Sequence, residues 1–83
     1  MAKTVVPLPV PEPQLLNDPT TLGRFVRARR TQIGMGIHEA AAFCGIAVGT
    51  LGKIETGRGD VKLSIVLNVC RMFGIHLRIA AGD

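Results

Sequence analysis

The run Gly45-Ile46-Ala47-Val48-Gly49-Thr50-Leu51-Gly52-Lys53-Ile54-Glu55-Thr56-Gly57 constrains the fold more than any other stretch of this chain. It follows a short apolar segment, Glu39-Ala40-Ala41-Ala42-Phe43-Cys44, with a glycine at the join. Glycine tolerates the left-handed backbone that reverses a chain between two helices, because it has no Cβ to clash there. The branched Ile46 beside it has the shape to plug the angle between them. Two helices are therefore expected to meet at a tight turn at Gly45.

A second helix presented across such a turn can enter the major groove of DNA. The charge pattern suits that partner. Between Thr20 and Lys62 lie seven basic residues, Arg24, Arg27, Arg29, Arg30, Lys53, Arg58 and Lys62. Only Glu39, Glu55 and Asp60 oppose them, so this segment carries the whole net charge of +4. A cationic stripe of this kind fits a polyanion; an ordinary solvated surface would look similar by charge alone.

The 83 residues fit one domain. A chain this short hides only about 60% of its unfolded surface, and oligomerisation is a common remedy. Its hydrophobic fraction of 47% argues against disorder throughout. Cys44 and Cys70 are far apart, lack CxxC spacing and sit in apolar helical surroundings. They are expected as buried free thiols rather than as a disulfide or metal site. His38 and His76 are isolated, and no nucleophile, base and acid come together in the pattern, so neither an enzyme nor a cofactor is expected. No cationic-then-apolar leader and no apolar run near 18 residues are present, which points to the cytoplasm.

Residues 1–19 hold all five prolines (Pro7, Pro9, Pro11, Pro13 and Pro19) and form an expected N-terminal arm. The alternating prolines forbid a helix and favour extended chain. Val5, Val6, Leu8, Val10, Leu15 and Leu16 make the arm apolar. It reads either as a flexible tail or as a segment that packs on the domain, a second subunit or another protein. Residues 20–74 form the expected helical domain. Its first helix starts near Asp18-Pro19 or Thr20-Thr21, with Asp18 as a cap and Pro19 at the first position. Gly34 closes that helix, and others are predicted over about Ile37–Cys44, Val48–Thr56 and Leu63–Phe73. Past Gly74 the period changes to two: Ile75, Leu77 and Ile79 alternate with His76, Arg78 and Ala80. Residues 75–83 are thus expected to form a half-buried strand and tail, with the strand pairing in a dimer.

From Leu22 to Ile79 the chain resembles the lambda-repressor-like, or Cro/XRE, helix-turn-helix family. The matching elements are Leu22-Gly23-x-Phe25-Val26-Arg27-x-x-Arg30, Ile33-Gly34, Ala41, Gly45-Ile46 and Leu51-x-x-Ile54-Glu55-x-Gly57. Within the family the chain is most similar to HipB-type antitoxins. That similarity rests on Glu55-x-Gly57-Arg58 and on Leu63-x-x-Val66-Leu67-x-Val69-x-x-x-Phe73-Gly74-Ile75.

The resemblance implies an all-α fold of four or five helices with a short C-terminal strand used in dimerisation through Ile75, Leu77 and Ile79. It implies an ion pair between Arg30 and Glu55. Base reading falls to Ala47, Val48, Gly49, Thr50 and Lys53, and phosphate contact to Arg27, Gly36, Ile37, Arg58 and Lys62. The implied function is a homodimeric, autoregulatory repressor on an inverted repeat, acting as antitoxin to a HipA-like kinase toxin. The alternatives are a stand-alone phage- or plasmid-type repressor, or a scaffold that binds a protein and touches DNA weakly.

The chain departs from the family in ways that bear on this. Ala47, Val48, Gly49 and Gly52 replace the polar side chains common among relatives, leaving Thr50 and Lys53 as the strong hydrogen-bonding groups on the third helix. Gly36-Ile37 likewise replaces a polar pair that caps the second helix and binds phosphate. Direct readout is expected to be poor, and affinity to lean on charge.

Overall fold

Every helix of this chain stops at or just before a glycine, and those glycines divide it into four short rods. The computed structural model describes residues 4–82; residues 1–3 and 83, the ends of the expected arm and tail, lie outside them. Helix α1 spans Pro19–Ile33, α2 Ile37–Cys44, α3 Val48–Thr56 and α4 Leu63–Met72. Gly34, Gly45 and Gly57 follow the first three with φ of 86°, 69° and 70°, the left-handed stop that closes a helix.

Helix α1 begins where Asp18 accepts hydrogen bonds at Oδ1 from the Thr20 N–H (2.8 Å) and the Thr20 hydroxyl (2.7 Å). Those bonds hold the Asp18 carboxyl below its ordinary range. Asp18 and Pro19 together explain why the helix starts there: one supplies an acceptor for an orphan N–H, and the other has no N–H to satisfy.

The core lies between the helices and consists of Val26, Ala40, Ala41, Cys44, Leu51, Ile54, Val69 and Phe73, all buried. Small side chains on α2 let it approach its neighbours closely. Phe73 is fully enclosed, and its ring meets that of Phe43 at 6.1 Å between centroids. The main-chain oxygen of Phe73 accepts from Arg29 Nε at 2.9 Å, which ties α1 to the end of α4. Cys44 and Cys70 are both buried and free, and burial pushes the Cys70 thiol up to about 11.

The N-terminal arm packs on α1. Val5, Leu8 and Pro11 are half-buried and the residues between them exposed, a spacing of three that matches one turn of polyproline helix. Leu8 donates its N–H to Thr31 Oγ1 at 2.9 Å and accepts at its carbonyl from Gln32 Nε2 at 2.6 Å. Thr31 is itself buried and donates to the Ala28 carbonyl. Since Leu8 meets the end of α1 and Asp18 caps its start, the arm runs back along that helix.

The C-terminal expectation is corrected. No strand forms over residues 75–79, and among the described residues the fold is four helices with no sheet. Ile75 is the reason the helical pattern wins there. Its N–H bonds back to the Cys70 carbonyl at 2.8 Å, and its side chain packs against the core. It closes α4 rather than opening a strand. Leu77 is 39% exposed and Ile79 fully exposed, with no ladder for either.

Candidate nucleic-acid interface

The turn between α2 and α3 is built from main-chain bonds. Gly45 N–H reaches the Ala42 carbonyl at 3.1 Å, and Ile46 N–H the Ala41 carbonyl at 3.0 Å. Ile46 then packs against the core in the angle between the two helices. From there α3 buries Leu51 and Ile54 and leaves Ala47, Val48, Gly49, Lys53 and Thr56 exposed.

Two devices hold the inner side of α3 against α1. Arg30 forms a two-pronged contact with Glu55, Nε to Oε2 at 2.6 Å and Nη2 to Oε1 at 3.0 Å, and its Nη1 donates to the Met35 carbonyl at 2.9 Å. Both side chains are nearly dry, at 10% and 6% exposure. A forked, charge-assisted contact of this type fixes angle as well as distance. Beside it the two backbones touch: a Cβ on Gly23 would lie 2.3 Å from the Glu55 oxygen and 2.6 Å from that of Ile54. The third helix is therefore set at one orientation.

The outer side differs. Cβ atoms added at Gly49 or Gly52 would meet nothing within 4 Å. Val48 is 37% exposed, Thr50 half-buried. Lys53 is exposed, but its aliphatic stem lies along the loop after α3, 3.2 Å from where a Gly59 Cβ would be. Neither α2 nor α3 has a side chain bonded to its first turn; Gly36 and Ala47 are the capping residues. Helix starts of this kind present N–H groups toward an anion.

The remaining sequence-derived residues divide in two. Arg27, Arg58 and Lys62 are exposed, and among the described residues none joins an ion pair. Ile37 is half-buried and packs against the core, so its side chain serves the fold and only its main chain is left for a ligand. Gly36 has open space around it.

Sequence reasoning missed Arg29, which it counted as part of the cationic stripe; Arg29 is half-buried and bonded to Phe73. It also missed Thr31 and Gln32, whose acceptor and donor face the arm. A main-chain partner 44 residues away leaves no trace in spacing.

A uniquely oriented helix, presented past a glycine turn beside a second helix start, defines a helix-turn-helix protein. The family model for the helix-turn-helix domain matches residues 21–79, and the chain belongs to that family. The match runs from the first turn of α1 to beyond α4 and places the chain in a DNA-binding class. No curated protein matches the chain significantly. Among the described residues no helix is long and apolar enough to cross a membrane.

Proposed function

We propose that this protein is a transcriptional repressor that binds an inverted repeat as a homodimer, in the cytoplasm and without catalytic activity of its own. The observation that carries the reading is the third helix, locked to α1 by Arg30–Glu55 and Gly23 yet free along its outer side. A helix held this way can be pressed into a groove without turning on its axis. Two copies would set their third helices about 34–36 Å apart, one helical turn of DNA.

Affinity in this reading comes from Arg27, Arg58 and Lys62 on phosphates, assisted by the open main-chain N–H groups at Gly36–Ile37. Lys53 and Thr50 read base edges, while Ala47, Val48 and Gly49 allow close approach and contact with thymine methyl groups. The finer role is an autoregulatory antitoxin of a HipA-like kinase toxin, with Leu77 and Ile79 in the dimer contact. It is supported by the sequence similarity from Glu55 to Ile75.

A second reading, a scaffold that binds a protein and only brushes DNA, is favoured by one observation. The outer edge of α3 offers Val48 and two glycines where hydrogen-bonding side chains would serve a reader. Fluorescence anisotropy at two salt concentrations, with the duplex upstream of the gene and a scrambled duplex, separates the two. A repressor prefers the native duplex at both salts and loses that preference in Lys53→Ala/Thr50→Ala. Arg58→Ala/Lys62→Ala weakens both duplexes and flattens the logarithmic salt slope of the dimer by about 3.6, four contacts at roughly 0.9 each. Equal, salt-fragile binding to both duplexes favours the scaffold. The antitoxin role is tested by co-purification with a HipA-like kinase encoded beside it.

A further inference from the structure

Among the described residues, two apolar surfaces lie exposed at opposite ends of α4. At its start, a groove of about 420 Å³ lies between the start of α1, the end of α3 and the first turn of α4. Leu22, Val61, Leu63 and Val66 line it, with Asp18, Lys53 and Asp60 as its charged groups. Leu63 is 69% exposed there, and Leu67, one turn on, is 47% exposed. At the other end of α4 the chain leaves past a shallow depression that Leu77 shares with Leu67 and Cys70, and Ile79 stands fully exposed.

We propose that the groove receives the C-terminal tail of a second copy, Leu77-Arg78-Ile79, with the two α4 helices antiparallel across a two-fold axis. This rests on the homodimer reading above and specifies its contact. The geometry follows from α4 itself. Its ten residues span about 15 Å, so the groove and the tail lie at its two ends. A two-fold axis across the helix brings the end of one copy to the start of the other, and each tail then meets the other copy's groove. Leu67, exposed on the monomer, then lies between the two sites.

Charge agrees with this seating. The groove carries two carboxylates and one ammonium, in a chain whose net charge is +4. The tail brings Arg78, and neither it nor Asp60 joins an ion pair among the described residues. Alternation does the rest: Leu77 and Ile79 point into the groove while Arg78 reaches Asp60 at its rim. In its own chain Ile79 makes no such contact, being wholly exposed, and Leu77 stays 39% exposed beside Leu67 and Cys70.

Sedimentation equilibrium on the full chain tests the pairing. Asp60→Lys and Arg78→Glu should each weaken the dimer by about tenfold, because the symmetry repeats each contact, and the double variant should regain most of that loss. A second measurement does not depend on the ion pair. Leu63→Cys and Ile79→Cys chains, mixed under mild oxidation, should form a disulfide-linked heterodimer far faster than either alone. Native Cys44 and Cys70, at 7% and 2% exposure, do not compete. A stable dimer indifferent to both charge changes and yielding no mixed disulfide would overturn the seating and leave the homodimer standing. A wild-type chain that sediments as a monomer at tens of micromolar would overturn both.

Discussion

The two sides of α3 use glycine to opposite ends. Toward α1, Gly23 is small because nothing larger fits: the carbonyls of Ile54 and Glu55 occupy the space a side chain would need. On the outside, Gly49 and Gly52 are small where there is room for anything. The inner side is a packed joint between backbones, sealed by a dry ion pair. The outer side is a smooth edge at a cost in helix stability of about 1 kcal/mol per glycine. Local propensity therefore cannot explain both. Stability is concentrated on the side that fixes orientation, and it is given up on the side left open.

The contrast can be broken most directly at the ion pair. Arg30→Ala leaves Glu55 charged, buried and without its partner, and should destabilise the domain by about 3–5 kcal/mol in chemical denaturation. That approaches the whole stability expected for a domain of this size. A loss below 1 kcal/mol would mean that the pair is not what holds α3.

Gly23→Ala comes next. The added methyl meets main-chain oxygens that cannot swing aside, so α1 and α3 must separate, at about 3 kcal/mol. An unchanged midpoint would show that the joint has slack. The smallest effect has the opposite sign. Gly49→Ala and Gly52→Ala should each stabilise by about 0.5–1 kcal/mol, since each methyl points into open space. If either destabilises, the outer side of α3 is not free in solution.

Helix limits were legible because the signals for them are local. Asp18-Pro19 starts α1, and Gly34, Gly45 and Gly57 end helices within a residue or two of where the pattern put them. The turn at Gly45-Ile46 was legible for the same reason. The Arg30–Glu55 partnership came through resemblance, since no spacing rule joins residues 25 apart. What period alone could not decide was the segment after Gly74. Ile75, Leu77 and Ile79 alternate as a strand would, but a strand is defined by its ladder, and Ile75 uses its N–H to finish α4. Within and just after α4, Val69, Cys70 and Phe73 are core, while Leu63 and Leu67 face outward.

The clasp on the arm has one more consequence. Thr31 and Gln32 grip Leu8 by its main-chain N–H and carbonyl, and so are blind to which side chain sits there. They do discriminate against proline, which has no N–H to offer. With Pro7 on one side and Pro9 on the other, sliding the arm by a single residue would leave Thr31 facing an imide nitrogen. The alternation therefore acts as a ratchet: a step of one cannot re-engage the clasp, and any longer step must drag a proline ring past it. The register of this stretch is thus set by main-chain bonds as well as by its half-buried side chains.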